Sequence, residues 1–257
     1  MCVFCGEGNL VSRRFSLGRQ KSRRYVLCLS CGGISCAVED LPGRDRERER
    51  YLLHNNRPED SGYREMLGAF AERVRAVCRH CGILDWPAAA GGVSASGFPV
   101  LDFGCGPVPV LAALLREQGW AASGLDPLFF PDGWPEKTAD GSRFSVVLCH
   151  ESAEHFHAPR RTFARMSAFL QPGGVCAVST RFLPDFPAPA AGASGADFPA
   201  FFSQWWYRMD FTHVSFYTRK AMVRTASFSG LQAVFPDPAE NCSRIPFLLF
   251  QKGAAGA

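Results

Sequence analysis

Four cysteines near the start of the chain stand in two matched pairs. Cys2-Val-Phe-Cys5-Gly6 and Cys28-Leu-Ser-Cys31-Gly32 are each C-x-x-C followed by glycine, with 22 residues between them. Each pair can present two thiolates to one ion. The glycine after the second cysteine admits the left-handed backbone that such a knuckle turns through. Four thiolates in a tetrahedron suit Zn²⁺ in a closed, structural site; the alternative is two redox or incidental cysteine pairs. Cys36 is a spare thiol beside the second knuckle, and Cys78-Arg-His-Cys81 is a third C-x-x-C with no partner pair nearby. Eleven cysteines in 257 residues, with no basic-then-apolar leader pattern ahead of them, predict a reducing, cytoplasmic setting and metal more than disulfides.

A second set of reactive types lies mid-chain, in FPVLDFGCGPVPVLAALLREQGWAASGLD from Phe98 to Asp126. Asp102 closes an apolar run, Gly104-Cys105-Gly106 allows a sharp turn and close approach to a ligand, and Asp126-Pro127 closes the next strand. A dinucleotide fingerprint needs a third glycine where Pro109 stands. A cofactor without a phosphate, S-adenosylmethionine, matches better. Asp102 suits its positively charged methionine end, and Asp126 can accept hydrogen bonds from both ribose hydroxyls. The alternative is a plain βαβ turn with acidic caps.

This arrangement resembles motif I of class I methyltransferases and the acidic position after it, with one departure: Val108 stands where that family often has a third glycine. Three further segments share the resemblance. Cys149-His150-Glu151 and Glu154-His155-Phe156 resemble the end of the family's fourth strand, Leu170-x-Pro-Gly-Gly174 its fifth-strand turn, and Asp210-x-Thr-His-Val-x-Phe-Tyr-Thr218 a block before its last helix. The stretch H-N-N-x-P-x-D-x-G-Y, His54 to Tyr63, is similar to one in a bacterial group of zinc-ribbon methyltransferases. The resemblance implies an α/β fold: a Rossmann-like, doubly wound, seven-stranded sheet with a small N-terminal zinc ribbon. It implies S-adenosylmethionine and Zn²⁺ as cofactors. Asp102, Gly104, Cys105, Gly106, Pro107, Asp126, Pro127, Cys149, His150 and Glu151 would contact the methyl donor. Methyl transfer needs a base only where the acceptor loses a proton; His155 or His213 would serve, and Tyr217 would orient the acceptor.

The elements must put these groups together. A β-ribbon is predicted over Asn9–Phe15 and Arg24–Leu29. Gly43–Arg50 alternates in sign, with Asp45–Arg48 and Glu47–Arg50 pairs on a solvated helix start. His54–Asn56 reads as a capping and turn segment, and Gly62–Cys81 as an amphipathic helix. Pro87–Gly97 is a linker. Strands follow at Pro99–Phe103 and Ala121–Leu125, with Pro107 as the first residue of the helix between them. A third strand belongs near Leu128–Asp140, a Pro- and Gly-rich stretch carrying Asp132. Phe144–Cys149 reads as a buried parallel strand and Arg160–Leu170 as a helix stopped by Gln171–Gly174. Val175–Thr180 is the next strand. Pro184–Pro199 occupies the place of a substrate lid, and Arg219–Ser229 is the last helix. Leu231–Phe235 and Pro246–Gln251 close the sheet with one antiparallel strand. The implied division is 1–38 ribbon, 39–97 helical connector and linker, 98–257 methyltransferase domain.

Composition and charge bound the partners. With 47% hydrophobic and 20% charged residues, the chain can build a core, and no run of about 18 apolar residues predicts a membrane span. Residues 1–38 hold six cations and one acid, net +5 of the chain's +4, which leaves −1 for the remainder. One reading is a phosphate-binding patch for RNA or DNA, making the ribbon a reader for a nucleic-acid-modifying enzyme. The other is simple charge balance, because Zn²⁺ with four thiolates is formally −2. A third reading makes the chain a zinc scaffold on a degenerate methyltransferase fold. The acceptor stays open among small molecules, sugars, proteins and RNA.

Overall fold

Alternation along the strands builds the molecule. In the computed structural model, which describes residues 1–17, 21–53, 56–86, 98–130, 143–184, 198–234 and 246–253, β4 (Pro99–Phe103) and β6 (Phe144–His150) are buried at every position. Successive side chains point to opposite faces. Val100, Val146, Leu148, Val175 and Ala177 therefore enter one core, with Leu67, Phe70 and Val74 of α2 (Ser61–His80) and Leu111 and Leu115 of α3 (Val110–Glu117). Leu101, Val147, Cys149, Cys176 and Val178 enter the other, with Phe163 and Met166 of α4 (Pro159–Phe169) and Met222 of α6 (Arg219–Ser227). Burial on both faces is why these strands read as unbroken apolar runs.

The described sheet has six strands in the order β5-β4-β6-β7-β10-β9, where β5 is Ala121–Leu125, β7 Leu170–Ser179, β9 Leu231–Ala233 and β10 Phe247–Lys252. β5, β4, β6 and β7 run parallel, and β10 is antiparallel to both its neighbours. The single antiparallel strand is as predicted. The expected strand near Leu128–Asp140, with Asp132, lies beyond residue 130 outside the described residues. So do His54, the linker 87–97 and most of the predicted lid, 185–197.

Three local expectations change. The helix after the glycine turn begins at Val110 rather than Pro107, with Pro109 as the residue before it. Pro109 disfavours helical backbone at Val108, so 106–109 stays a turn. Gln171–Gly174 is not a stop before a strand but part of β7. Phe144 pairs with Leu170, yet Val146 pairs with Val175, and the extra residues bulge at Gly173, whose φ is 75°. Finally, Glu47 and Arg50 of α1 (Arg44–Leu52) do not pair with each other. Glu47 is buried and meets His157 at 2.7 Å, while Arg50 reaches Asp210 at 2.8 Å. The helix faces the site instead of solvent on that side.

The N-terminal ribbon is β1 (Leu10–Ser16) paired antiparallel with β2 (Ser22–Cys28), then β3 (Ile34–Cys36). Its sheet continues into β8 (Ser215–Phe216), where Ile34 pairs with Phe216 and Ser35 with Ser215. A third core of Phe15, Tyr25, Phe202, Tyr207 and Phe216 joins the ribbon to the aromatic segment ahead of β8. Hydrogen bonds and core packing thus cross the sequence boundary at residue 38.

Candidate active site and four-cysteine centre

The chain leaves β4 through Gly104 and Gly106 at φ 79° and 69°. The Gly104 N–H donates to the Leu125 carbonyl at 2.7 Å, which fastens the turn to the end of β5. A Cβ on Gly104 would sit 2.5 Å from Ser152 Oγ; the Ser152 hydroxyl lies 3.0 Å from the Gly104 carbonyl. Left-handed backbone and close approach together require glycine there. Asp126 ties the turn to the next loop. Its Oδ2 accepts the Gly106 N–H at 3.0 Å, and its Oδ1 accepts the N–H groups of Leu128 at 2.8 Å and Phe129 at 3.3 Å. Ionised carboxylate oxygens offer about four acceptor sites in all, so capacity for a ligand remains. Burial pushes Asp102 up to about 7 against a hydrogen bond from the Ala112 N–H, and the Asp126 charge adds to the rise.

Above this turn lies a cleft of about 460 Å³, counted out to open solvent, bounded by Glu47 and Tyr51 of α1, Gly104, Asp126, Pro127, Ser152 and His155. Among the residues expected at the methyl donor, Gly104, Asp126 and Pro127 line it. Asp102 and Cys105 are not among the residues lining it: on β4 Asp102 alternates with Phe103 and shares the face of Val100, and it and Cys105 add their charges to the burial that raises Tyr63 of α2 to about 12. Pro107 is half-buried in the same turn.

The structure does not bring Cys149 or His150 to the cleft. Cys149 is fully buried in the core beside Cys176. His150 points to the opposite face, its ring 4.6 Å from Phe70 and its Nδ1 2.8 Å from Ser179 Oγ; burial lowers it to about 4. The alternation of β6 decides this, because consecutive residues cannot share a face. Glu151 follows at φ 44°, the one non-glycine residue in left-handed backbone among the described residues. Burial raises its carboxyl to about 8, the Glu154 charge adds, and Arg181 opposes.

His155 and His213 do converge. Their ring centroids are 4.8 Å apart, with Tyr51 4.9 Å from His155 and Tyr207 4.1 Å from His213. His155 Nδ1 lies 3.0 Å from the Thr212 carbonyl and His213 Nδ1 2.6 Å from the Tyr207 carbonyl. A carbonyl only accepts, so each ring carries a proton on Nδ1, and in the neutral form the lone pair is on Nε2. Burial lowers His155 to about 4, which keeps it neutral near pH 7. Glu154, 2% exposed, lies with them: its Oε2 accepts the Thr180 hydroxyl at 2.8 Å, and its Oε1 is 3.9 Å from His155 Nε2. Tyr217 stands apart. It is fully buried, donates to the Ala153 carbonyl at 3.0 Å and packs edge-on against Phe4 at 4.9 Å, so it supports the ribbon contact and does not face an acceptor.

Glu47, Tyr51 and Ser152, which line the cleft, and Glu154, which joins the two histidines, are residues that the sequence reading left unassigned. For Glu47 and Tyr51 a signal existed: spaced i,i+4, they share a helix face. The dense charges around them made that face look solvated.

The four cysteines form a buried cluster with one sulfur from each within 4.8 Å of the others. Cys2 Sγ is 3.8 Å from Cys31 Sγ, and Cys5 Sγ is 3.5 Å from Cys28 Sγ. An ion 2.3 Å from each sulfur sets tetrahedral edges of about 3.8 Å. Gly6 and Gly32 take φ 80° and 74°, as the knuckle needs. Among the thiols themselves, the hydrogen bond from Cys31 pulls Cys2 down to about 5.

A family model described as a methyltransferase domain matches residues 70–234, from within α2 to just past β9. The chain belongs to this methyltransferase family. The matched span holds the glycine turn, both acids and the histidine pair; the four cysteines of the methyltransferase lie outside it. No curated protein matches the chain. Among solved structures, an O-methyltransferase family protein from Burkholderia thailandensis is 14% identical, with 82% of this chain and 64% of that chain covered and a TM-score of 0.44. This chain thus spans less than two thirds of that protein. The glycopeptide N-methyltransferase MtfA, solved with S-adenosylmethionine, is 16% identical over 75% of this chain and 94% of that one, TM-score 0.40. An S-adenosylmethionine-dependent methyltransferase from Mesorhizobium loti is 16% identical over 65% and 97%, TM-score 0.39.

Proposed function

We propose that this methyltransferase transfers the methyl group of S-adenosylmethionine to an acceptor bound against His155 and His213. The observation that carries the reading is the shared cleft: the glycine turn, Asp126 and His155 border one space. When bound, the cofactor supplies a methyl group already activated on a sulfonium. The protein's task is then alignment. Gly104 and Gly106 let the backbone lie close to the ligand, Asp126 offers its remaining lone pairs to the ribose hydroxyls, and Asp102, at the end of β4 just before the turn, adds acidic charge for the cationic methionine end. Tyr51 and Glu47 close the cleft from α1. For an acceptor that loses a proton, the Nε2 lone pairs of His155 and His213 are the available bases.

The four-cysteine centre is assigned to structural Zn²⁺ on its sulfur spacing and burial. With no helix of the described residues long and apolar enough to cross a membrane and so many free thiols, a cytoplasmic site of action fits. Calorimetric titration of the whole chain with S-adenosylhomocysteine tests the cofactor assignment. Micromolar binding to the wild type, weakened at least tenfold in Asp126→Ala, is expected; unchanged affinity in that variant would remove Asp126 from the ribose site, and no binding by folded wild type would overturn the reading.

A further inference from the structure

The cluster of Glu154, His155 and His213 has the donor set of a metal centre. One ligand atom from each of the three lies within 4.8 Å of the other two. Both imidazoles have Nδ1 committed to a backbone carbonyl, at Thr212 and at Tyr207. That second hydrogen bond fixes the tautomer and ring orientation of a metal-binding histidine and leaves Nε2 as the donor. The Glu154 carboxylate is oriented in the same way by the Thr180 hydroxyl, itself 3.2 Å from Tyr207 Oη. Oε1 is left facing His155 Nε2.

Charge argues the same way. Glu154 is 2% exposed. Among the described residues its one ion-pair neighbour is a histidine; no Lys or Arg stands within salt-bridge distance. A buried carboxylate calls for a compensating cation. Two imidazoles and one carboxylate are also the ligand set of zinc and non-haem iron centres that keep coordination positions open.

We propose that Glu154 Oε1, His155 Nε2 and His213 Nε2 bind one divalent transition-metal ion, of the zinc or ferrous class, at the edge of the cleft. A tetrahedral ion at about 2.0–2.1 Å from its ligands sets their separation near 3.3 Å. The 3.9 Å gap between Glu154 Oε1 and His155 Nε2 therefore closes by about half an ångström on loading. Of the three ligands His155 borders the cleft, so a bound ion would lie next to the space proposed for the acceptor. An acceptor oxygen or nitrogen bound there would lose its proton more easily, and the two rings would act as ligands rather than bases. This last step rests on the methyltransferase reading; metal binding itself does not.

The test is cobalt titration of the untagged full-length protein after removal of metal under reducing conditions. Two equivalents are expected. The first gives the intense thiolate-to-cobalt charge-transfer band of the four-cysteine centre. The second gives weaker ligand-field bands with no thiolate contribution. Glu154→Gln and His213→Asn are each expected to lose the second equivalent and keep the first. A wild type that takes only the thiolate-bound cobalt overturns the proposal, whether or not the variants fold, and returns the two histidines to the role of bases. A second cobalt that survives both substitutions also overturns it. Titration of the same samples with S-adenosylhomocysteine reads the cofactor site separately, so loss of one assignment leaves the other standing.

Discussion

Asp102 is 5% exposed at the carboxyl end of β4. Its carboxyl is pushed from 3.8 up to about 7, mainly by burial. Between about pH 4 and pH 7 the folded chain therefore keeps a proton that the unfolded chain has released. Stability from this group is full below pH 4 and is lost as pH rises through 7, by up to about 4 kcal/mol at 1.36 kcal/mol per unit. Asp102→Asn removes the linkage. Urea unfolding of ligand-free protein at pH 5 and pH 7.5 should show a fall in stability for the wild type that is smaller in the variant by about 2.5 kcal/mol, the part of the linkage that lies in this window. An identical fall in both would show that Asp102 titrates normally.

At the scale of elements, the ribbon and the active site are one construction. The Thr218 hydroxyl donates to the Cys31 carbonyl at 2.6 Å and accepts the Ala221 N–H that starts α6. The Cys36 N–H donates to the Val214 carbonyl at 2.7 Å, and the Val214 N–H to the Glu154 carbonyl at 2.8 Å. The second knuckle thus braces the strand next to His213. Cys28→Ser with Cys31→Ser should release zinc, with on the order of 10 kcal/mol of metal-binding free energy lost to folding. Hydrogen exchange should then accelerate across β3 and also across 213–218. Unchanged protection at 213–218 would make the ribbon an independent unit, as the sequence suggests. The sequence shows β4 and β6 because both their faces are buried, and it shows the cysteine cluster because ligand spacing is local. It cannot show that β3 pairs with Ser215–Phe216, since two residues carry no period. Nor can it show that Tyr217 faces the ribbon, since the aromatic segment 201–218 is rich in side chains fit for either a pocket or a core.

At the scale of the whole molecule, the excess positive charge of the ribbon decides between a reader of nucleic acid and a brace. Arg23 is 7% exposed and donates to the Phe211 carbonyl. Arg24 pairs with Glu39, and Arg14 lies 3.6 Å from Asp40. Arg13 lies over the Phe15 ring at 5.7 Å, so four of the five described ribbon cations are engaged with the chain itself, and Glu39 and Asp40 return acidic charge just past the segment counted as basic. A phosphate-reading surface needs free cations spaced along a face. Each phosphate contact should steepen the salt dependence of affinity by nearly one unit in a plot of log affinity against log salt. Filter binding of single- and double-stranded RNA should accordingly be weak, in the nonspecific range of about 10⁻⁴ to 10⁻⁶ M at physiological salt, with a slope too shallow for more than two or three contacts. Submicromolar RNA binding with a slope of −5 or steeper, lost on replacing Arg13 and Lys21, would instead make the ribbon the substrate reader. The +5 at the N-terminus would then serve recognition, and the acceptor search would begin with RNA.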